Sequence, residues 1–387
     1  MAILITDIGE LTTNTEGGPL REAAVVVEGE RIAWVGSASA APAADARVSV
    51  DGRAVLPGWV DSHTHLVFAG DRTAEFEARM AGAPYRAGGI ATTVAATRAA
   101  TDATLSTNLA RHIAEARRQG TTCLETKTGY GLNVADERRS ARLAAEIADE
   151  VTYLGAHLIP EGYSADAYLD LVCGEMLDAV APFVRWADVF CETGAFDADQ
   201  SDRVLRAAAA RGLGLRVHGN QLGHGPGVQL AVRHGAASVD HCAYLTDADI
   251  EALAASDTVA TVLPACDLST RQPLAPARRL LDAGVTVAIA SNANPGTSYT
   301  TSMAYCVATA VLQMGLSVAE AVYAATAGGA KALRRTDIGS IAAGTRADLH
   351  VLDAPSATHL AYRPGVPLTA AVWLQGQRLD ISGPDPI

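Results

Sequence analysis

The chain has 387 residues, of which 49% are hydrophobic and 19% charged, so it can bury a large core and is not disordered. Its formal net charge of −13, with no basic patch, argues against a nucleic-acid-binding role. The six cysteines show no close spacing and predict reduced residues of a cytoplasmic protein. No signal peptide and no apolar run of membrane-spanning length is evident, so we expect no membrane partner.

The two ends of the chain share one pattern, in which short β-rich runs alternate with turns. Residues 3–5, 23–27 and 32–35 are such runs near the start, with a turn at 28–30. Runs at 348–352 and 371–374 repeat the pattern near the other end. Because neither fragment is large enough alone, we predict that 1–53 and 338–387 pair into one small β-sandwich domain.

Between the ends, β-type runs alternate with alanine-rich helical stretches. The eight predicted strands are 54–65, 121–129, 152–158, 187–193, 214–220, 238–242, 258–265 and 286–292. The helical stretches between them are 105–119, 136–148, 165–180, 199–211, 227–234, 247–255 and 275–283. Eight such units predict an α/β (β/α)8 TIM barrel over 54–337. A doubly wound open sheet is the alternative, and the lack of a G-x-G-x-x-G motif after the first strand disfavours it.

Histidines cluster at the predicted strand ends, where active residues of a barrel lie. They are His63, His65, His157, His218 and His241, with His224 in the loop after the fifth strand. His63 and His65 are two apart on a strand, so both face the same side and form half of a metal site. A hydrogen-bonded surface pair is the alternative for this dyad, and His218 on a distant strand end favours the metal site.

Several motifs resemble those of a known enzyme family. The run Pro57-Gly58-Trp59-Val60-Asp61-Ser62-His63-Thr64-His65 resembles the first-strand signature of the amidohydrolase superfamily, and Gly344-Thr345-Arg346-Ala347-Asp348-Leu349 resembles its return into the small β-domain. Motifs at 65–72, 88–90, 125–132, 155–157 and 294–298 are similar to those of the imidazolonepropionases of histidine breakdown. This resemblance covers nearly the whole chain.

The resemblance implies a hydrolase that opens the ring of 4-imidazolone-5-propanoate to N-formimidoyl-L-glutamate, using one zinc or iron ion. The implied metal ligands are His63, His65, His218 and the residue at position 292. The implied catalytic positions are His241, Asn292 and Gln221. The implied substrate-binding residues are Arg72, Tyr85, Tyr130, His157, Asn294, Gly296 and Thr297. The family resemblance also implies a homodimer.

Arg72 has a reason of its own to bind substrate, because a guanidinium is a sound partner for a carboxylate. Its alternative is a surface ion pair with Asp71 or Glu75.

The chain departs from the family pattern at the predicted active site. Asn292 stands where the family has an Asp that touches the metal and takes the proton from water, and Asn cannot act as a base. Gln221 stands where Glu is frequent, and Cys266-Asp267 where the family tends to have Glu. Three histidines suffice for a catalytic zinc, so a metal could still bind at reduced affinity.

Three functions remain open from the sequence. The first is an imidazolonepropionase or a close cyclic-amidine hydrolase, either slow or in an inactivated form. The second is a paralogue that performs a non-hydrolytic step, such as cyclisation, dehydration or isomerisation, on a related ring. The third is a binding protein with an inherited pocket, which the intact histidine cluster disfavours.

Overall fold

The structure is a computed structural model, and it describes residues 1–83 and 89–382. In this part of the chain the strands are β1 (Ala2–Leu11), β2 (Leu20–Glu28), β3 (Arg31–Ser37), β4 (Ala46–Ser49), β5 (Ala54–Pro57), β6 (Trp59–Asp61), β7 (Thr121–Lys127), β8 (Glu150–Ala156), β9 (Trp186–Cys191), β10 (Gly214–Gly219), β11 (Ser238–His241), β12 (Val259–Val262), β13 (Val287–Ile289), β14 (Leu349–Leu352), β15 (Thr369–Leu374) and β16 (Gln377–Arg378).

The α-helices of the described residues surround and connect these strands. They are α1 (Thr73–Met80), α2 (Ile90–Ala99), α3 (Asp102–Arg118), α4 (Val134–Ala145), α5 (Ala165–Cys173), α6 (Glu175–Val180), α7 (Ala198–Ala209), α8 (Gly227–Arg233), α9 (Asp247–Ala254), α10 (Pro264–Thr270), α11 (Ala277–Asp282), α12 (Met303–Gln313), α13 (Val318–Tyr323), α14 (Gly329–Ala332) and α15 (His359–Tyr362). Among them, no helix combines the length and hydropathy of a membrane-spanning segment.

The barrel is built from the parallel strands β6 to β13, hydrogen-bonded in chain order. It closes just beyond the ends of the first and last strands. His65 N donates to Ala293 O at 2.9 Å, and Asn292 N donates to His63 O at 3.0 Å. The predicted TIM barrel is therefore confirmed, and its closure brings position 292 beside the two histidines that follow β6.

The terminal strands form one hydrogen-bonded sheet in the order β16-β15-β14-β5-β1-β2-β3, with β4 paired to β1. Its own core contains Ile5, Leu11, Val25, Leu349 and Trp373, all buried. Apolar side chains from both ends of the chain thus share one core, because neither fragment could bury this surface alone.

The predicted first strand, 54–65, is wrong as a single element. It breaks at Gly58 into β5, which pairs with β14 of the terminal sheet, and β6, which opens the barrel. A Cβ at Gly58 would lie 2.1 Å from Thr122 Oγ1, so only glycine fits where the chain passes between the two sheets.

The predicted helix 165–180 is also two helices, because the backbone of Gly174 leaves helical geometry (φ −113°, ψ −112°) between α5 and α6. Helices α1, α2, α10 and α12 to α15 were not predicted. Of these, α1 and α2 follow β6, and α10 follows β12.

Candidate metal centre

Three imidazole rings converge at the carboxyl ends of β6 and β10. His65 Nε2 lies 3.2 Å from His63 Nε2 and 3.4 Å from His218 Nε2. The three residues are buried, and their ligand atoms form a cluster suited to a metal ion. Tetrahedral nitrogen ligands about 2.0–2.1 Å from zinc lie about 3.3–3.4 Å apart, so the observed spacing fits a divalent cation of this size.

Carboxylates behind the histidines orient two of the rings. His63 Nδ1 donates to Asp240 Oδ2 at 2.7 Å, which leaves the Nε2 lone pair pointing at the cluster. His218 Nδ1 lies 3.0 Å from Asp188 Oδ2, an ion-pair distance without the alignment of a hydrogen bond. Burial, with the nearby charge of Lys127, lowers the pKa of His63 to about 3. A neutral ring with a free nitrogen is the form that binds a metal.

A layer of fully buried charges lies beneath these carboxylates. Lys127 Nζ is 2.9 Å from Asp188 Oδ2, 3.0 Å from Glu125 Oε1 and 3.8 Å from Asp240 Oδ2. Arg216 Nη2 lies 3.3 Å from Asp240 Oδ2. Burial alone would raise the pKa of Asp240, but Arg216 and its other charged neighbours hold it well below its usual range. These carboxylates therefore stay ionised and act as fixed anions behind the imidazoles.

The sequence analysis assigned no role to Lys127, Asp188, Arg216 or Asp240. One signal was available in the sequence. An ionisable residue inside a mostly apolar strand, such as Asp188 in β9, is rarely buried without a charged partner, so it indicates a buried ion pair.

Position 292 lines the same pocket as His65 and His218. Asn292 has a left-handed backbone (φ 52°), and its Oδ1 is buried without a hydrogen-bond partner among the described residues. Asp61 holds the preceding residue, because it accepts hydrogen bonds from the backbone and side chain of Ser291. Burial raises the pKa of Asp61 to about 7. The amide oxygen of Asn292 is thus unpaired at this pocket and is a candidate neutral ligand, while the three histidine nitrogens by themselves have the spacing that fits a metal ion.

A small pocket of about 30 Å³ opens above the cluster. Of the predicted site residues, it is lined by His65, Arg72, Tyr130, His157, His218, Gln221, His241, Asn292, Asn294 and Thr297. His63 lies below its floor and is fully buried. Tyr85 falls outside the described residues. The closure of the barrel therefore gathers the predicted residues around one point.

His157 and Tyr130 form one wall, with ring centroids 5.4 Å apart. His157 Nδ1 donates to Gly129 O at 2.9 Å, so Nε2 is left as an acceptor. Burial lowers the pKa of His157 to about 4, which keeps the ring neutral at neutral pH.

Arg72 also lines the pocket and is paired within the protein. Its Nε and Nη2 donate to Glu75 at 2.8 and 2.7 Å, so the ion pair considered from the sequence is formed. Arg72 nevertheless has a buried side chain and lines both the small pocket and a neighbouring cavity of about 460 Å³. A Cβ at Gly296 would lie 2.0 Å from Nη1, so this glycine gives the guanidinium its space.

Asn294 and Thr297 stabilise the loop that follows the last strand. Asn294 Oδ1 accepts hydrogen bonds from the backbone N–H groups of Gly296 and Thr297, both at 2.8 Å. Asn294 Nδ2 donates to Asn292 O at 2.6 Å. The polar atoms of Asn294 thereby hold position 292 in place.

Gln221 reaches the pocket from the loop after β10. Its backbone N–H donates to Glu192 Oε2 at 2.8 Å, and its Nε2 lies 3.9 Å from Cys266 Sγ. Glu192 therefore holds the backbone of Gln221 in place, a role that the sequence analysis did not predict. His241 also borders the pocket, 5.3 Å from the His218 ring, and burial lowers its pKa well below the usual value.

Comparisons with known proteins agree with this geometry. The model of the amidohydrolase family matches residues 54–379. An imidazolonepropionase of Saccharopolyspora erythraea is 71% identical, with 97% of this chain and 98% of that protein aligned. An imidazolonepropionase of Arthrobacter sp. is 66% identical, with 98% and 100% aligned. A zinc-bound adenosine deaminase from Xanthomonas campestris, 22% identical, has a TM-score of 0.74 over 97% of this chain and 92% of that one, which shows a shared fold.

Proposed function

Because the chain belongs to the imidazolonepropionases of the amidohydrolase family, we propose that it opens the ring of 4-imidazolone-5-propanoate with water, giving N-formimidoyl-L-glutamate in histidine breakdown. The observation that carries this proposal is the convergence of three imidazole nitrogens, spaced at 3.2 and 3.4 Å, at a pocket that Arg72 lines. The relatives reported above match over nearly the whole chain and bear the name of this hydrolase, and none supports the non-hydrolytic alternative.

We propose that His63, His65 and His218 hold one zinc or iron ion and that Asn292 Oδ1 adds a neutral fourth ligand. When bound, such an ion supplies Lewis acidity for the water and for the substrate carbonyl. Asp240 and Asp188 keep the Nε2 lone pairs of two rings directed at the ion. This support comes from the protein and is present before any ion arrives.

His241 is the proposed proton carrier. Its ring borders the pocket and is neutral at neutral pH, so it can accept a proton from the attacking water. Asn292 and Gln221 cannot do this, because an amide neither gains nor loses a proton in this range. We therefore propose a functional but slow hydrolase whose proton transfer depends on one imidazole.

Arg72, Tyr130 and His157 are the proposed substrate-binding groups. The guanidinium of Arg72 suits the propionate carboxylate, and Nε2 of His157 can accept a hydrogen bond from a ring N–H. A cavity of about 30 Å³ holds only one or two water molecules, so substrate entry requires the pocket wall to move. Arg72 borders the larger cavity as well. Its guanidinium must therefore contact Glu75 and the substrate carboxylate at the same time.

Two broader proposals accompany the activity. We propose a cytoplasmic location, which the six unpaired cysteines support. We also propose a homodimer, and light scattering of the purified chain tests it, since a monomer at micromolar concentration would contradict it.

The decisive experiment compares the chain with its Asn292→Asp variant. Both are analysed for metal content and assayed for ring opening of 4-imidazolone-5-propanoate. We expect about one metal per chain in each, measurable turnover by the unsubstituted chain, and about 10²-fold or more faster turnover by Asn292→Asp, because a general base is restored.

The matched control is Asn108→Asp, which adds the same charge outside the pocket and should leave the rate unchanged. Intact mass and peptide mapping check that Asn292 has not deamidated in the unsubstituted sample. If neither form binds metal or opens the ring, the proposal is wrong.

A further inference from the structure

A second cluster of metal-ligating side chains reaches the pocket through His241, which is one of the pocket-lining residues. It consists of His241, Cys266 and Asp267, which come from the end of β11 and from α10. All three residues are buried, and their ligand atoms lie within 4.8 Å of one another. They are distinct from the three histidines of the first site, although the His241 and His218 rings are only 5.3 Å apart.

Two atoms of this cluster lack partners. Within residues 1–83 and 89–382, neither His241 Nδ1 nor Asp267 Oδ1 has a hydrogen-bond partner, although both are buried. Asp267 Oδ2 accepts from Ala275 N at 3.2 Å. A buried polar atom without a partner is energetically unfavourable, so both atoms are candidates for binding a ligand.

The charge balance of the cluster indicates that this ligand is a cation. Burial raises the pKa of the Asp267 carboxyl to about 8, and no basic side chain among the described residues offsets this effect. Burial and the neighbouring carboxyl of Asp267 raise the pKa of the Cys266 thiol to about 12. Both groups bind metals in their anionic forms, which a cation at this place would stabilise.

We propose that His241, Cys266 and Asp267 bind a second divalent cation of the zinc class beside the three-histidine site. One nitrogen, one sulfur and one oxygen ligand form a donor set that suits zinc better than magnesium or calcium. Three protein ligands leave a fourth position open. Zinc ligands at about 2.0–2.3 Å lie about 3.4–3.6 Å apart, so binding requires side-chain shifts of at most roughly an ångström.

Such an ion would have a functional consequence, which rests on the proposed function. It would occupy a nitrogen of His241, the proposed proton carrier, and place positive charge beside it. Excess zinc is therefore expected to slow the hydrolase.

The test titrates cobalt(II) into the metal-free, reduced full-length chain and records the absorption spectrum and the number of ions bound. A sulfur-to-cobalt charge-transfer band requires a cysteine ligand, and the three-histidine site has none. The band therefore reports the second site whether or not the chain is a hydrolase. We expect two ions per chain, with the band developing as the second site fills.

Cys266→Ala should abolish the band and leave one ion per chain, and Asp267→Asn should weaken binding of the second ion about tenfold or more. The matched control is Cys242→Ala, which removes a buried thiol next to His241 and should retain the band. Cys266→Ser provides a second variant if Cys266→Ala does not fold. The proposal is overturned if saturating cobalt gives no such band, or if the band survives the loss of Cys266.

Discussion

The two sides of the pocket are built on different electrostatic principles. On one side, His63 and His218 are backed by ionised carboxylates, and these rest on the buried cations Lys127 and Arg216. On the other side, the groups facing the pocket are the amides of Asn292 and Gln221, with the thiol of Cys266 behind them.

The two sides therefore serve different tasks: one binds the metal ion, and the other borders the place where a proton must be transferred. The histidine side retains each element that a cation needs: neutral rings, oriented lone pairs and fixed anions. The amide side provides hydrogen bonds and ligand atoms but cannot take a proton. We infer that metal binding tolerates changes on the amide side, whereas the rate of hydrolysis does not.

Removing the central cation of the histidine side should have the largest effect. Lys127→Met leaves three buried carboxylates without their shared partner and is expected to lower the free energy of unfolding by about 3–5 kcal/mol. Urea unfolding measures this, with the exposed Lys331→Met as control. A loss below about 1 kcal/mol would show that the charge layer does not stabilise the barrel.

Removing the charge of one carboxylate should lower the metal affinity more than it lowers the stability of the fold. Asp188→Asn is expected to reduce zinc affinity about 10- to 100-fold, because the His218 ring loses its anionic partner. Competition with a chromophoric chelator measures the affinity, and the exposed Asp170→Asn serves as control. Unchanged affinity would mean that Asp188 does not support the metal site.

A change at the pocket wall should act on substrate binding alone. Arg72→Lys is expected to raise KM about tenfold with little change in kcat, because lysine cannot contact Glu75 and a substrate carboxylate in the same planar geometry. Steady-state kinetics measures both constants, and Arg111→Lys is the control. A fall in kcat at constant KM would instead place Arg72 in the chemical step.

The last effect depends on pH and concerns the support of the amide side. The pKa of Asp61 is raised by burial from 3.8 to about 7, so its contribution to stability is full below about pH 4 and is lost as the pH rises through 7. Asp61→Asn removes this dependence. The free energy of unfolding of the variant relative to the unsubstituted chain should therefore rise between pH 4 and 7, by at most about 1.4 kcal/mol per pH unit. A difference in unfolding free energy that stays constant between pH 4 and 7 would contradict the raised pKa of Asp61.

The sequence predicted the barrel, because strand periodicity is a local pattern, and it predicted that histidines at strand ends would lie near one another. It did not predict the break at Gly58, which depends on the approach of Thr122 from another strand. It also could not assign roles to Lys127 and Asp188, since their partners become neighbours only when the barrel closes. The cluster around Asp267 was visible only as an unusual residue pair.

The pairing of β5 with β14 also sets an order of events during synthesis. Pro57 pairs with Leu349, so the strand that leads into the barrel can pair with β1 at once but lacks its second neighbour, β14, until about 290 further residues have been added. At roughly 5–20 residues per second, a ribosome needs about 15–60 s for this stretch. During that time the edge of β5 is open to other chains, and a chaperone that shields exposed strands would act on this nascent segment.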